Sequence, residues 1–279
     1  MDGEHGTSRY IEESTADDWM RAVLRSIGVM RENLGHEHSL RTLAEVAWLS
    51  PFHFHRVFHK VTNFTPARFL AAWRMAEAKR LLAYTPDSVT DICMRIGYSS
   101  LGTFTSQFTR MVGVSPGRFR RLLATAGDQP FNEMLAALGR TQRPPSRVQL
   151  TVTVSGGPHA PAPTAVGLFS TGIPQQRPAF CAVTWAPGTV PVGDLPDGVY
   201  YPLAMCFDPA VTVTEAVAMT DLEGCFVGAA ESVVSIVGGR VASPATVPVR
   251  LRNRRETDPP LVLALPLLMA AGATERSAA

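Results

Sequence analysis

The chain has 279 residues, of which 46% are hydrophobic and 18% charged. This composition excludes an intrinsically disordered chain, and the length accommodates two domains of ordinary size. The formal net charge is only +2, but residues 17–125 carry fifteen Arg and Lys against eight Asp and Glu. A local basic excess is typical of a surface that faces phosphates, although an ordinary solvated surface explains it as well.

The first elements in chain order are a flexible terminus and three helices. Residues 1–16 are polar and acidic, and we predict that they are flexible. A helix is predicted from the N-cap type residues Asp17 and Asp18 to about residue 34, because apolar side chains recur there every three to four residues. Ser39 caps the next short helix, and a turn at residues 49–51 leads into a third helix over residues 52–62.

Residues 43–69 and 92–119 are two copies of one pattern. A shift of fifty positions aligns Phe54 with Phe104, Phe58 with Phe108, Asn63 with Gly113, Pro66 with Pro116 and Phe69 with Phe119. Upstream of the turn the shift is forty-nine, so the second turn is one residue longer. Each copy predicts a helix, a tight turn and a second helix, and a long helix over residues 66–83 joins the copies. Two helix-turn-helix units in tandem indicate DNA binding.

The pattern changes after residue 125. A helix is predicted at residues 131–138 and a Pro-rich linker at 142–145; apolar residues then alternate from residue 148 to 154. Further strands are predicted at residues 165–170, 179–185, 199–207, 225–229, 233–237 and 246–252. We therefore predict an α + β multidomain chain. An all-α tandem helix-turn-helix domain of about seven helices fills residues 17–125, a helix and Pro-rich linker fill residues 126–146, and an all-β sandwich-like domain fills residues 147–279.

The second copy resembles the AraC/XylS family of bacterial transcription regulators. Its residues 97–121, GYSSLGTFTSQFTRMVGVSPGRFRR, carry the long, spaced signature, and the resemblance extends over residues 19–123. It implies a sequence-specific regulator whose two units enter successive major-groove segments of the duplex; the alternative is an architectural DNA-binding protein without sequence preference. Asn63 stands where the family has Gly, and Ser106 and Gln107 replace a basic residue usual in the second copy.

The family pattern implies which side chains contact DNA. On the first recognition helix, Phe52, His55 and Arg56 face base edges, with Arg56 suited to guanine and Phe52 to a thymine methyl group. His59 and Lys60 suit phosphates. On the second helix the base-facing positions are Leu101, Gly102, Thr103, Ser106 and Gln107, with Arg110 nearer the DNA backbone. We expect this second set to bind bases more weakly.

Several of these residues have alternative interpretations. His55 and His59 have a spacing that can hold zinc, but the sequence offers no third ligand, so DNA contact or simple exposure is favoured. The paired phenylalanines of the two copies have the spacing of a buried stripe, which favours core packing over stacking on bases. For Phe52, which lies off that stripe, base contact is favoured over packing on the preceding helix.

The C-terminal domain has two competing interpretations. Residues 190–207 resemble a strand pair of a transthyretin-like or carboxypeptidase-regulatory β-sandwich. One interpretation is a ligand pocket near Trp185, Tyr200, Tyr201 and Phe226; the other, which we favour because few polar groups accompany those aromatics, is a structural or dimer-forming domain. The alternating residues Arg250, Arg252 and Arg254 suggest a solvated strand face or edge guard rather than an anion site.

We expect no enzymatic activity, no cofactor and no metal. The sequence has no catalytic residue set, and none of its cysteines (Cys93, Cys181, Cys206 and Cys225) lies in the reactive context of the DNA-repair alkyltransferases related to this family. The most apolar run, residues 261–271, is shorter than the roughly 20 residues that span a bilayer. The expected partner is double-stranded DNA. RNA polymerase and a small-molecule effector of the C-terminal domain are further candidate partners. The expected location is the cytoplasm, at the nucleoid.

Overall fold

The computed structural model describes residues 3–139, 150–172, 174, 178–193, 195–208, 210–218, 224–242, 245–262 and 264. Side chains are described from residue 15 onward, except those of residues 137–139. The predicted Pro-rich linker at residues 142–145 lies outside the described residues.

The N-terminal part of the chain is helical. Its elements are α1 (Gly3–Glu32), α2 (Leu40–Val46), α3 (Pro51–Thr62), α4 (Pro66–Tyr84), α5 (Val89–Arg95), α6 (Leu101–Val112), α7 (Pro116–Ala126) and α8 (Phe131–Gly139). The prediction that α1 begins near Asp17 is wrong, since the helix starts at Gly3 and covers the segment predicted to be flexible. That segment lacks proline, so its polar composition does not prevent a helix.

The two repeats have matching helix ends, which confirms the tandem arrangement predicted from the sequence. A Ser or Thr side chain accepts a backbone N–H at the start of each helix: Ser39, Ser50 and Thr65 in the first copy and Ser88, Ser100 and Ser115 in the second. Helix α3 ends at Asn63 with φ of 61°, and α6 ends at Gly113 with φ of 98°. Asn therefore performs the left-handed capping role of Gly in the first copy.

Helix α4 belongs to both units. Its first half contributes Phe69 and Trp73 to a core formed with α1, α2 and α3, and its second half contributes Met75 and Leu81 to a core formed with α5 to α8. In each core the phenylalanines pack edge to face, with centroids 5.5 Å apart for the first pair and 5.7 Å for the second. The prediction that these rings form the core rather than a base-stacking surface is confirmed.

The described residues of the C-terminal part form a single connected sheet and one short helix. Its elements are β1 (Thr151–Gly156), β2 (Ala162–Phe169), β3 (Phe180–Ala186), β4 (Gly188–Pro191), β5 (Gly198–Phe207), α9 (Val213–Ala218), β6 (Cys225–Ala229), β7 (Val234–Val237), β8 (Arg240–Val241) and β9 (Thr246–Asn253). The strand order is β3-β2-β5-β6-β9-β1-β4, with β7 paired to β5 and β8 paired to β7. All neighbours are antiparallel except β1 and β9, which are parallel.

The sandwich predicted for this domain is not confirmed, because the sheet forms a nearly closed barrel. Strands β3 and β4 end the order, yet only Pro187 separates them in the chain, and Thr184 Oγ1 donates to Thr189 O at 3.3 Å. The inward face encloses an apolar core of its own. Alternation of apolar residues fixes which face is buried, but it does not specify which distant strands pair.

The barrel packs on the second helix-turn-helix unit. The rings of Phe131 and Phe207 are 4.7 Å apart and belong to a core shared with α6 and α7. Lys79 Nζ donates to Leu261 O at 2.6 Å, and its side chain is only 1% exposed. Lys79 therefore joins the helical part of the chain to the C-terminal part.

The row of arginines predicted on the last strand is only partly a solvated face. Arg250 is exposed, Arg252 forms a bidentate ion pair with Asp258, and Arg254 is buried beyond the end of β9. Asp258 in the loop after β9 pairs with Arg252, and the Arg254 guanidinium lies 5.8 Å from the centroid of the Trp73 ring on α4. Strand periodicity alone could not indicate either contact.

Candidate nucleic-acid interface

The first recognition helix, α3, has one buried face and one exposed face. Phe54, Val57 and Phe58 anchor it in the first core. The five residues predicted to contact DNA all lie on the opposite, exposed face: Phe52, His55, Arg56, His59 and Lys60. The helix therefore presents these side chains together to solvent, on a backbone fixed by the packing of the buried face.

Phe52 is 79% exposed, which contradicts the alternative that it packs on the preceding helix. A phenylalanine ring in water at the first turn of a recognition helix has a hydrophobic cost that contact with an apolar partner would remove. No described residue forms a hydrogen bond or an ion pair with the exposed Arg56 guanidinium. Arg56 and Phe52 are thus both available to an external partner.

Lys60 is exposed but not isolated. Its Nζ lies 4.5 Å from the centroid of the Trp19 ring, and the same ring meets His53 edge to face at 6.4 Å. The cation–π contact is worth about 0.5–1 kcal/mol at an exposed site, which restrains the ammonium group without neutralising it. Helix α1 thereby positions one of the predicted phosphate contacts on α3.

The second recognition helix, α6, presents smaller and less basic side chains. Leu101, Gly102, Thr103 and Ser106 are exposed, as is Arg110 near the C-terminal end. Gln107, also predicted to face bases, is half-buried, and its Nε2 lies 3.7 Å from Met111 Sδ. The exposed face of α6 thus consists mainly of short side chains and of the open backbone at Gly102.

At one aligned position in the turns of the two units, Trp48 of the first unit corresponds to Gly97 of the second. Both adopt left-handed backbone conformations, with φ of 58° and 85°. Such a conformation costs a non-glycine residue about 1–2 kcal/mol. The Trp48 ring is 81% exposed and lies beneath the Arg25 guanidinium at 4.4 Å.

Trp48 is a candidate DNA contact that the sequence analysis did not identify. Arg25 holds the backbone of this turn, donating to Val46 O at 3.4 Å and Ala47 O at 3.1 Å. The ring is therefore fixed at the turn immediately before α3, close in sequence to exposed Phe52. In the sequence, the feature that could have identified Trp48 as a candidate is the alignment of a bulky aromatic residue with Gly97.

Part of the basic excess of the helical domain serves the fold. Arg74 donates to Leu34 O at 2.9 Å and His36 O at 2.8 Å, and Arg120 donates to Asp87 O at 2.7 Å. Burial lowers the pKa of Arg74 and lowers that of Lys79 to about 7. The surface available to phosphates is therefore less basic than the residue count suggests.

The described residues also bear on metal binding and on membrane insertion. They contain no group of three His, Cys, Asp or Glu side chains placed to hold a metal ion. None of the helices within the described ranges is long and apolar enough to cross a membrane.

Comparison with known proteins identifies the helical region. A family model described as a helix-turn-helix domain matches residues 43–122. An HTH-type transcriptional regulator of Mycobacterium tuberculosis is 36% identical over 97 residues, which are 35% of this chain and 38% of that protein. The HTH-type transcriptional activator RhaS of an Enterobacter species is 35% identical over 92 residues, covering 33% of each chain.

Among solved structures, the DNA-binding domain of the transcriptional factor AdpA in complex with a target DNA is 28% identical, with a TM-score of 0.36. That match covers 37% of this chain and 93% of the other. The chain spans about a third of the length of the two curated relatives (38% and 33%). The residues that the family model matches lie in the helical region. Residues 43–122 are a helix-turn-helix domain of the AraC/XylS family.

Proposed function

We propose that the protein is a sequence-specific DNA-binding transcription regulator of the AraC type. The observation that carries this proposal is the repetition of one capped scaffold with an exposed recognition helix in each copy. The 19 residues of α4 correspond to about 28 Å at ~1.5 Å per residue, close to the roughly 34 Å of one turn of DNA. Helices α3 and α6 are therefore suited to successive major-groove segments on one side of the duplex.

The first unit supplies most of the sequence preference in this proposal. Arg56 can donate two hydrogen bonds to guanine O6 and N7, and exposed Phe52 can pack on a thymine methyl group. His55 lies on the same exposed face and supplements these base contacts. His59 and Lys60, one turn further along the helix, are suited to phosphates, which position the protein without selecting a sequence.

The second unit binds more weakly to bases and holds the protein in register. Leu101, Thr103 and Ser106 offer small contacts, and the absent side chain of Gly102 permits close approach of the helix backbone to DNA. Gln107 can reach a base only by leaving its contact with Met111. Arg110 adds a phosphate contact near the end of α6.

The rival function is an architectural protein that binds any duplex. The relatives named above are transcriptional regulators, which favours the specific function. The exposed guanidinium of Arg56 also favours it, because non-specific binding requires phosphate contacts alone. Selection from a random duplex library separates the two functions, since an architectural protein enriches no common sequence.

A repair activity based on a cysteine thiolate is disfavoured by burial. Burial raises the pKa of Cys181 to about 12, that of Cys225 to about 12 and that of Cys206 to about 11. Burial also raises the pKa of the Cys93 thiol. A nucleophilic cysteine needs the opposite shift. Contact with RNA polymerase and action at the nucleoid in the cytoplasm complete the proposal.

The proposal is tested by fluorescence anisotropy of the full chain on DNA from upstream of its own gene and on random duplex, at several salt concentrations. We expect tighter binding to the upstream DNA, with affinity for both falling as salt rises. Equal affinity for the two duplexes would exclude specific regulation. The variant Arg56→Ala removes the proposed guanine contact. Its matched control is Arg41→Ala, because Arg41 is exposed on α2 and pairs with Glu45.

A further inference from the structure

A cavity of about 200 Å³ lies between the first helix-turn-helix unit and the outer face of the barrel. Thr62, Asn63 and Phe64, the residues that end recognition helix α3, form one wall. Strands β2, β5 and β6 form the opposite wall. None of Trp185, Tyr200, Tyr201 and Phe226, near which the sequence suggested a ligand pocket, lines this cavity.

Small residues on the strands create the space. Ala165 and Gly167 on β2 line the cavity from the outer face of the sheet, and backbone at Gly228 on β6 completes this wall. A Cβ atom at Gly167 would lie 2.6 Å from the Phe169 ring, and one at Gly228 would lie 2.7 Å from Arg250 O. The barrel therefore packs closely around these glycines, while larger apolar side chains such as Met205 complete the walls.

The polar groups at the cavity are few and carry no net charge. Arg252 and Asp258 line it as a bidentate pair, with Nη1 and Nη2 donating to the carboxylate at 2.6 and 2.8 Å. The Arg255 backbone N–H also donates to Asp258 at 2.7 Å. The Asn63 side chain is exposed, and its carboxamide forms no hydrogen bond with any described residue.

We propose that this cavity binds a small, uncharged, mainly hydrocarbon molecule with one hydroxyl or amide group. An apolar cavity of about 150 Å³ holds a benzene molecule, so about 200 Å³ accommodates one ring with a short polar substituent. The neutral Arg252–Asp258 pair offers no spare charge to an anion or a cation. The Asn63 carboxamide can both donate to and accept from the polar substituent.

The position of the cavity gives the ligand a route to the DNA interface, and this second part rests on the proposed function. Thr62 Oγ1 donates to Phe58 O at 2.8 Å inside α3 and accepts from Phe64 N at 3.1 Å. Phe64 packs in the core of the first unit, 6.5 Å from the Phe69 ring. A molecule that contacts this cap and the barrel together favours one placement of α3 relative to the C-terminal domain, and so changes DNA affinity.

The binding test uses the full chain without DNA and titrates three neutral probes, benzyl alcohol, cyclohexanol and benzamide, with benzoate and benzylamine as charged counterparts. Saturation-transfer NMR and calorimetry report binding. We expect at least one neutral probe to bind in the millimolar range or tighter, and at least tenfold more tightly than either charged compound. No binding by any neutral probe, or equal binding of benzoate, would overturn the proposed site.

Two filling variants locate the binding. Ala229→Phe fills the cavity from its exposed edge, and Leu203→Trp fills it from β5. Each should weaken probe binding at least tenfold, whereas Ala242→Phe, an equal change at an exposed alanine outside the cavity, should alter it less than twofold. Unchanged binding in a filling variant that remains folded by circular dichroism places the probe elsewhere and refutes the assignment.

The coupling test measures affinity for a selected DNA site with and without saturating probe. We expect a change of at least threefold in the wild type and none in Ala229→Phe. Probe binding without any change in DNA affinity would overturn the coupling. Absence of specific DNA binding before probe is added would instead refute the proposed function, so the two failures are distinguishable.

Discussion

The aligned turn residues Trp48 and Gly97 make a prediction about stability that distinguishes the two units. Gly97→Ala places a residue with a Cβ atom in a left-handed backbone conformation, which lowers the free energy of unfolding by about 1–2 kcal/mol. That atom would lie 2.9 Å from Gly35 O and 3.0 Å from Leu34 O, and backbone oxygens cannot move aside as a flexible side chain can. Adding about 1–3 kcal/mol for overpacking, we expect a loss of about 2–5 kcal/mol in the free energy of unfolding.

Trp48→Gly should behave differently at the same position of the first unit. Relief of about 1–2 kcal/mol of backbone strain is opposed by about 0.4–1 kcal/mol from the more flexible unfolded chain. Loss of the cation–π contact between Arg25 and the Trp48 ring lowers the free energy of unfolding by a further ~0.5–1 kcal/mol. We therefore expect Trp48→Gly to lie within about 1 kcal/mol of the wild type, and to be more stable than Trp48→Ala, which loses the ring but keeps the strained Cβ.

Urea unfolding followed by circular dichroism at 222 nm measures all three variants without relying on tryptophan fluorescence. The reasoning is refuted if Gly97→Ala unfolds at the wild-type urea concentration, or if Trp48→Gly is less stable than Trp48→Ala. A separate anisotropy measurement on Trp48→Gly tests the ring as a DNA contact. Weaker DNA binding at unchanged stability supports that role, and unchanged binding excludes it.

Further predictions concern the core, the interface and pH. Phe108→Ala should lower the free energy of unfolding by about 3–5 kcal/mol in denaturant titrations, because Phe108 is fully buried between two other rings. Arg56→Ala should weaken DNA binding by about 1–3 kcal/mol and relax the sequence preference at one base pair. Lys60→Ala should weaken binding to all duplexes alike and make the affinity less dependent on salt concentration. Identical behaviour of the two variants would contradict their assigned roles. Burial, reinforced by the nearby Arg254 charge, lowers the pKa of Lys79 from 10.5 to about 7. Between these pH values the unfolded chain binds one proton more than the folded chain at this residue. The contribution of Lys79 to the free energy of unfolding therefore rises with pH. Subtracting the pH profile of Lys79→Met from that of the wild type isolates this rise, and a flat difference would show that Lys79 titrates normally.

The helical domain was largely predictable because its signals are local. Ser50 and Ser100 cap the recognition helices, Asn63 and Gly113 end them, and the phenylalanine spacing defines the buried face. Each of these features depends on residues within a few positions of one another. The predicted strands at residues 199–207, 225–229 and 246–252 also lie within a residue or two of β5, β6 and β9 for the same reason.

The features that the sequence did not predict depend on contacts between distant residues. Barrel closure requires β1 to pair in parallel with β9, almost a hundred residues later. The burial of Lys79 requires the carbonyl of Leu261, and the pairing of Arg252 requires Asp258 after the strand has ended. The short helix α9 and strand β4 were missed because neither is long enough to establish a periodic pattern.

The central claim is that two equal scaffolds carry unequal DNA-binding faces. A scan of single base-pair substitutions across a DNA site selected from a random library, with binding measured at fixed salt, tests this claim most directly. We predict one segment where substitutions cost about 1–3 kcal/mol each, and a second segment one helical turn away where they cost clearly less. Equal penalties in both segments would contradict the unequal faces, and a selected site that binds no better than random duplex would contradict specific recognition altogether.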